Sequence, residues 1–161
     1  MSDGYAGKDW TKIKTVTQQI CLAVNHLHSQ HIVHDDIKPL NVMRGEDGFL
    51  LIDMDGSSVA GFGFAGTKVS SAYVPPEMVH ISADGEASVK CYPPLPGSES
   101  LYECVPSHPS QDIWALGCTL FEVFTGSKMF LTVGEDIVLP LLLLLLLLIL
   151  LACHCAIYFL I

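Results

Sequence analysis

One stretch of this sequence decides how its neighbours fold: His34-Asp35-Asp36-Ile37-Lys38-Pro39-Leu40-Asn41. Proline fixes φ and restricts the residue before it, so the stretch is expected to form a rigid loop rather than to continue a helix. The loop presents a carboxylate, an ammonium and an amide on Asp36, Lys38 and Asn41. A carboxylate can accept a proton, an ammonium can neutralise phosphate, and an amide oxygen can ligate a hard metal ion. These are the groups that a phosphoryl-transfer site requires.

A helix is predicted before this loop and a β-hairpin after it. Over residues 9–30, apolar side chains recur at spacings of three and four, which indicates an amphipathic helix. Its apolar stripe consists of Trp10, Ile13, Val16, Ile20, Val24 and Leu27. After the loop, the turn signal at 45–48 joins predicted strands at 42–43 and 49–52. This hairpin places the carboxylate of Asp53 just after its second strand.

A second helix is predicted to begin near Asp112 and to end at Thr125-Gly126, with Ser110 as its N-cap. It is apolar nearly all round, which is typical of a helix buried on all sides. Between the hairpin and this helix, residues 80–110 are rich in proline, serine and glycine, so an irregular loop is expected there.

Four motifs, in this order along the chain, resemble landmarks of the catalytic domain of eukaryotic protein kinases. They are His34–Asn41 for the catalytic loop, Asp53–Asp55 for Asp-Phe-Gly, Pro75–Glu77 for Ala-Pro-Glu, and Asp112–Gly117 for the opening of a buried helix. The resemblance covers residues 9–130. It implies a mainly α fold with a short β-hairpin, a kinase-like C-lobe lacking the N-lobe, followed by a C-terminal hydrophobic helix.

The resemblance also implies roles for individual residues. Asp36 would orient the substrate hydroxyl and accept its proton, and Lys38 would neutralise charge on the γ-phosphate of ATP. Asn41 and Asp53 would hold magnesium, so that Lys38, Asn41 and Asp53 together bind the ATP·Mg cofactor. Asp112 would hydrogen-bond the backbone of the catalytic loop. Lys38, two residues after Asp36, resembles the Ser/Thr class of kinase.

Two residues depart from the family pattern, Asp35 in place of Arg and Asp55 in place of Gly. Asp35 cannot grip a phosphorylated activation segment, so phosphorylation at Thr67, Ser70 or Ser71 is not expected to act through it. Asp55 tolerates the backbone angles of glycine less well. Because Arg44 is the single arginine, Glu77 has no arginine partner and is expected to stay near solvent.

Two further motifs favour ordinary structure over chemistry. Residues 61–66 match G-x-G-x-x-G but lie after the loop and lack the strand and helix that a nucleotide cradle needs, so a flexible segment is expected. The histidines at 26, 28, 31 and 34 do not have zinc-ligand spacing and are interpreted as surface and helix-end residues.

Composition and charge limit the cellular compartment and the kinds of partner expected for the protein. A net charge of −9 argues against nucleic-acid binding. Six cysteines without C-x-x-C spacing, and the lack of an N-terminal signal peptide, indicate a cytoplasmic domain with reduced thiols. Residues 137–161 carry no charged side chain and exceed the roughly 20 residues that span a bilayer. They predict a C-terminal membrane anchor, and a low-complexity sequence artefact is the alternative.

Three functional hypotheses follow. The first is a protein Ser/Thr kinase acting on protein substrates, with little activity expected from this chain alone because no phosphate-covering glycine loop or Lys–Glu pair precedes residue 9. The second is a non-catalytic, pseudokinase-like binding module held at a membrane. The third is an incomplete gene product with no role of its own.

Overall fold

In the part of the chain that the structure describes, the architecture consists of two helices joined through short antiparallel strand pairs. The computed structural model of the chain describes residues 9–99 and 101–130. Helix α1 spans Trp10–Ser29 and helix α2 spans Pro109–Thr125. The strands are β1 (Ile32–Val33), β2 (Val42–Arg44), β3 (Phe49–Leu51), β4 (Ser58–Val59), β5 (Val79–Ile81) and β6 (Ala87–Val89). They pair as β1–β4, β2–β3 and β5–β6.

The core holds the loop at 34–41 between the two helices. Ile37, in the middle of that loop, is fully buried and packs with side chains from α1 and α2. The core consists of Val16, Ile20, Val24, Ile37, Ala115, Leu116 and Leu120. Burial of a side chain the size of Ile37 stabilises by about 1.5–3 kcal/mol. The Ile37 side chain therefore anchors the loop, and the Thr119 hydroxyl donates a hydrogen bond to the Ile37 carbonyl at 3.4 Å.

Helix α1 confirms the predicted span, and its apolar stripe is buried from Val16 to Val24. The prediction is wrong at the start of the stripe, where Trp10 is 76% exposed. Trp10 is the first helical residue after the N-cap Asp9, whose carboxylate accepts the backbone N–H of Lys12 at 3.1 Å. It therefore lies a turn beyond the part of the helix that packs on the core.

The β2–β3 hairpin has the predicted position, with Val42 opposite Leu51. The side chain of Gln19 in α1 holds its turn, since Oε1 accepts the backbone N–H of Phe49 at 3.0 Å. Gly48 has a φ of +141°, and a Cβ there would lie 2.7 Å from Gln19 Oε1. The positive φ favours glycine at this position, and a Cβ there would also require the end of the Gln19 side chain to move.

Helix α2 begins earlier than predicted. Its N-cap is His108 rather than Ser110, and Pro109 occupies the first helical position, where its missing N–H is not needed. The Gln111 side chain accepts the backbone N–H of His108 at 2.9 Å, which completes the cap. Gly126 ends the helix in the left-handed region at φ +76°, as predicted. Six consecutive residues, 115–120, are buried, so the helix is covered on all sides there as predicted, whereas Ile113 near its start is 40% exposed.

The segments predicted to be flexible or irregular have more structure than expected. Residues 80–110 contain most of the β5–β6 hairpin, whose turn places Gly85 at φ +87°. Residues 61–66 are hydrogen-bonded to 105–107, with Gly61 donating to the Ser107 carbonyl at 2.9 Å. Both predictions are wrong in this respect. Residues 61–66 gain hydrogen bonds from the distant residues 105–107, whereas β5 and β6 pair locally across a short turn.

In the ranges 9–99 and 101–130, neither helix combines the length and apolar character required to cross a bilayer. The predicted apolar helix at 137–161 lies outside these ranges.

Candidate active site

His34 fixes the shape of the catalytic-like loop from inside the protein. Its side chain is fully buried, so the interpretation of His34 as a surface or helix-end residue is wrong. Its Nδ1 accepts the backbone N–H of Asp36 at 3.3 Å, and its Nε2–H donates to the carbonyl of Ile52 at 3.2 Å. The ring thus joins the loop to the residue that precedes Asp53, so the Asp36 and Asp53 backbones are held in one arrangement.

Asp112 anchors the same loop from the first turn of α2. Its carboxylate is 1% exposed and accepts the backbone N–H groups of His34 and Asp35 at 2.8 and 2.9 Å. It also accepts the Nε2–H of His28 at 2.8 Å. The predicted support of the loop backbone by Asp112 is confirmed. In the described ranges, no three His, Cys, Asp or Glu side chains converge as a metal-ligand group.

Asp36, Lys38 and Asn41 lie together, as the sequence predicted. Lys38 Nζ donates to Asp36 Oδ2 at 2.7 Å. Asn41 Nδ2 donates to the same oxygen at 3.0 Å and to the Asp36 carbonyl at 2.8 Å. The Asp36 side chain is only 2% exposed, whereas that of Lys38 is 21% exposed. The carboxylate is therefore oriented by two donors on one oxygen, and Oδ1 faces another partner.

That partner is Ser70, whose role the sequence did not reveal. The Ser70 hydroxyl donates to Asp36 Oδ1 at 2.8 Å and accepts from Lys38 Nζ at 3.0 Å. A hydroxyl thus lies between a carboxylate acceptor and an ammonium donor. The sequence marked Ser70 only as one hydroxyl among Thr67, Ser70 and Ser71, because nothing local to residue 70 indicates that its segment folds back onto the loop.

Asp53 lies beside Asn41 at the end of the β2–β3 hairpin. The Ile52 N–H donates to the Asn41 carbonyl at 2.9 Å, which places the two candidate magnesium ligands on neighbouring backbone positions. Asp53 has left-handed backbone angles, φ +66° and ψ +64°. Asp55 instead lies in a short 3-10 helix, Met54–Gly56, so the strain expected at residue 55 falls on residue 53.

The donor set fits a magnesium ion. Asn41 uses its amide nitrogen in both of its side-chain hydrogen bonds, which leaves Oδ1 without a hydrogen bond in the described part of the chain. Asp53 offers a carboxylate whose pKa is held below its usual value, chiefly by a hydrogen bond from the Lys68 ammonium. Amide and carboxylate oxygens are the ligands that Mg²⁺ takes in proteins.

Asp35 is strained and partly buried. Its φ is +66°, and its Oδ2 is buried without a hydrogen-bond partner in the described ranges. Burial, together with the nearby carboxylates of Asp112 and Asp36, raises the pKa of Asp35 to about 7. The side chain that replaces arginine here therefore points into the protein and is partly protonated near neutral pH.

The segment of residues 68–73 is fixed at its C-terminal end by Tyr73. The Tyr73 hydroxyl donates to Glu122 of α2, and burial together with this bond raises the pKa of Tyr73. Glu77 is exposed, as predicted, and its carbonyl accepts from Lys90 Nζ at 3.0 Å. Residues 68–73 are therefore held at both ends, on the loop and on α2.

Comparison with known proteins identifies similar protein kinases. A family model described as "Protein kinase domain" matches residues 6–140. The mouse serine/threonine-protein kinase Nek3 is 33% identical over 109 residues, covering 65% of this chain and 17% of that protein. The mouse serine/threonine-protein kinase 36 is 30% identical over 130 residues, covering 81% of this chain and 8% of that protein. This chain thus spans a small part of both relatives.

A solved structure supports the fold. The Cydia pomonella granulovirus kinase PK-1 aligns with a TM-score of 0.51 at 20% sequence identity, covering 77% of this chain and 38% of that one. The family model, the order of the motifs and the fold agree, and the chain belongs to the protein kinase family.

Proposed function

We propose that residues 34–70 form the phosphoryl-transfer half of a protein Ser/Thr kinase site, which moves the γ-phosphate of ATP to a protein hydroxyl. One observation carries the proposal. The Ser70 hydroxyl lies 2.8 Å from Asp36 Oδ1 and 3.0 Å from Lys38 Nζ, so a hydroxyl fits between a proton acceptor and a phosphate-neutralising cation. Both contacts are within the reach that general-base catalysis requires.

In the proposed reaction, the substrate oxygen forms a bond to the γ-phosphorus while the bond from that phosphorus to the β,γ-bridging oxygen breaks. The substrate proton goes to Asp36, and ADP leaves. Lys38 offsets the negative charge that develops on the transferred group. The hydrogen bonds from Lys38 and Asn41 to Asp36 keep the carboxylate aimed at the hydroxyl position throughout.

Asn41 Oδ1 and the Asp53 carboxylate would hold the magnesium that accompanies ATP. When bound, magnesium neutralises charge on the phosphate oxygens. The chain contributes the rigid spacing of these ligands, since the Ile52 N–H bond to Asn41 and the His34 bond to Ile52 tie both to the loop.

The full reaction also uses a Lys–Glu pair and a glycine-rich phosphate loop. The described residues contain neither upstream of the loop, so we expect these 161 residues by themselves to transfer phosphate slowly or not at all. The test therefore uses two proteins, the chain itself and a fused form. In the fused form, residue 9 follows a kinase N-lobe that carries both elements.

The assay measures transfer of radiolabelled γ-phosphate to protein serine and threonine. We expect transfer by the fused form to fall roughly 10²- to 10⁴-fold in Asp36→Asn. Asp47→Asn, on the exposed hairpin turn, is the matched control and should transfer normally. Equal rates in Asp36→Asn and Asp47→Asn would refute the proposal. Robust Asp36-dependent turnover by the unfused chain would show that the covering lobe is dispensable.

A non-catalytic, pseudokinase-like binding module is the second candidate, and two observations favour it. Asp35 replaces the arginine of the family loop, and the Lys68 ammonium lies on the magnesium ligand Asp53. In this case the site would bind protein partners without turnover. Calorimetry with ATP and magnesium separates the candidates, because tight magnesium-dependent binding of ATP by the fused form contradicts a purely structural module.

Residues 137–161 would hold either form of the domain at a membrane, with residues 9–130 on its cytoplasmic side. The support is the sequence, which has no charged residue over this range. Flotation with lipid vesicles tests it: the full chain should float, and a chain ending at residue 136 should not. Equal behaviour of the two chains would refute the anchor.

A further inference from the structure

The Lys68 ammonium forms an ion pair with Asp53, the candidate magnesium ligand. Its Nζ lies 2.6 Å from Asp53 Oδ1 and 3.5 Å from Asp55 Oδ2. The two carboxylates thus converge on one ammonium. Asp55 is the residue that departs from glycine in the family motif, so this chain has a second carboxylate for Lys68 that the usual motif would not provide.

The stem of Lys68 is held over the turn that carries both carboxylates. A Cβ added to Gly56 would lie 3.3 Å from Lys68 Cβ and 3.5 Å from its Cγ and Cδ. The methylenes therefore pack on the backbone at Gly56, which reduces the entropy lost when the ammonium is ordered.

The Lys68 ammonium lies 2.6 Å from Asp53 Oδ1, so a metal ion bound to the same carboxylate would lie close to it, and the two positive charges would repel. We propose that Lys68 is an internal counter-cation that closes the Asp53 metal site, and that divalent metal binding requires its release. This regulatory contact rests on the proposed function only in taking Asp53 as a metal ligand. It is exchangeable because both side chains are about one-third exposed, 33% for Lys68 and 35% for Asp53.

Release of Lys68 from Asp53 would also affect Asp36, the proposed proton acceptor. Ser70, two residues after Lys68, is hydrogen-bonded to Asp36 and Lys38. The backbone that carries both residues thus bridges the metal ligand and the base. When Lys68 leaves Asp53, the segment keeps its Ser70 and Tyr73 contacts and loses its contact with the proposed metal ligand. By thermodynamic reciprocity, metal binding and the Lys68–Asp53 contact must weaken each other equally.

The test is a Mn²⁺ titration of the full chain, followed by the electron paramagnetic resonance of free Mn²⁺ at low ionic strength. Lys68→Met retains a long stem and removes the charge. We expect it to lower the Mn²⁺ dissociation constant about two- to fivefold, the range that partly exposed ion pairs support. Lys68→Arg should bind as the parent does. Lys12→Met removes an ammonium that pairs with Asp9 at the start of α1 and is the matched control.

Asp53→Asn identifies the site. It should weaken Mn²⁺ binding in both the parent and the Lys68→Met background, and it should erase the difference between them. A Lys68→Met chain that binds Mn²⁺ no more tightly than Lys12→Met overturns the proposal, as does a gain in affinity that survives Asp53→Asn.

A second readout follows the lysine itself. Mn²⁺ should raise the rate at which an amine-reactive reagent labels Lys68, measured by mass spectrometry, and should leave labelling of Lys12 unchanged. Labelling of Lys68 that does not respond to Mn²⁺ counts against the proposal. Failure of the proposed function can be distinguished from failure of this proposal. If Asp36→Asn leaves phosphate transfer unchanged while Mn²⁺ still competes with Lys68, the kinase reaction is refuted and the role of Lys68 as a counter-cation is supported.

Discussion

Two lysine–aspartate pairs lie in this site, and they differ in what surrounds them. Lys38 and Asp36 are 2.7 Å apart, and the carboxylate is almost completely buried. Lys68 and Asp53 are 2.6 Å apart, and both side chains remain about one-third exposed. Breaking a buried pair leaves an uncompensated charge, whereas breaking an exposed pair leaves a hydrated one. Asp36, the proposed proton acceptor, is therefore fixed, and Asp53, the proposed metal ligand, is free to exchange partners.

The fixed side of this comparison, which is the loop that carries Asp36 and Lys38, depends most on Asp112. Asp112→Ala leaves the buried N–H groups of His34 and Asp35 without an acceptor and removes the partner of His28. We expect it to lower the free energy of unfolding by about 3–5 kcal/mol, measured by urea denaturation. The control is Asp47→Ala on the exposed hairpin turn, expected to change stability by less than about 0.5 kcal/mol. A small effect at both positions would contradict the anchoring of the loop.

The two pairs can be compared directly by removing each ammonium. Lys38→Met leaves the Asp36 carboxylate buried without its cation, so we expect a loss of about 2–3 kcal/mol in the free energy of unfolding. Lys68→Met leaves exposed carboxylates and should change stability by less than about 0.5 kcal/mol. Equal losses in the two variants would erase the distinction between a fixed and an exchangeable pair.

Asp35 adds a pH dependence to the fixed side. Its pKa is raised from 3.8 to about 7, so between these values the unfolded chain loses a proton that the folded chain retains. This contribution to stability is full below pH 4 and declines as the pH rises to 7. Asp35→Asn should therefore stabilise the chain by about 2 kcal/mol at pH 8, a value discounted for partial exposure, and should have no effect near pH 4.

Urea denaturation of parent and variant across this range checks the sign. A difference between the two chains that is constant with pH, or that grows as the pH falls, would contradict the raised pKa of Asp35.

The smallest expected effect concerns the exposed segment. Thr67 is exposed, and Asp35 offers no positive charge to a phosphate there. In a double-mutant cycle of Thr67→Glu and Asp35→Asn, the coupling energy should stay below about 0.5 kcal/mol. Asp35→Leu in place of Asn repeats the cycle without a polar group at residue 35. A coupling above about 1 kcal/mol in both cycles would show that the segment acts through this residue after all.

Much of the fixed side could be predicted from the sequence, because its signals are local. The apolar period of α1, the turn signal between β2 and β3 and the loop proline each determine backbone shape within a few residues. They placed Asp36, Lys38 and Asn41 correctly beside one another and Asp53 at the hairpin end.

The exchangeable side, which is the Lys68–Asp53 pair and the segment that carries Lys68, could not be predicted, because it depends on contacts between distant parts of the chain. Lys68 meets Asp53 across 15 residues, and Ser70 meets Asp36 across 34. No period or turn signal indicates where residues 66–70 return to the loop. The N-cap of α2 was missed for a different reason: Ser110 is the better capping residue type, and Pro109 moved the cap to His108.

We proposed that Asp36 is a fixed proton acceptor and Asp53 an exchangeable metal ligand. The most direct test is phosphate transfer in the fused form, with Lys38→Met and Lys68→Met measured in parallel at saturating magnesium. We predict that Lys38→Met lowers the rate roughly a hundredfold, because charge on the transferred phosphate is no longer neutralised. Lys68→Met should retain the parent rate within about twofold and should reach it at lower magnesium concentration. Equal losses in the two variants, or no loss in Lys38→Met, would contradict the roles assigned to both lysines.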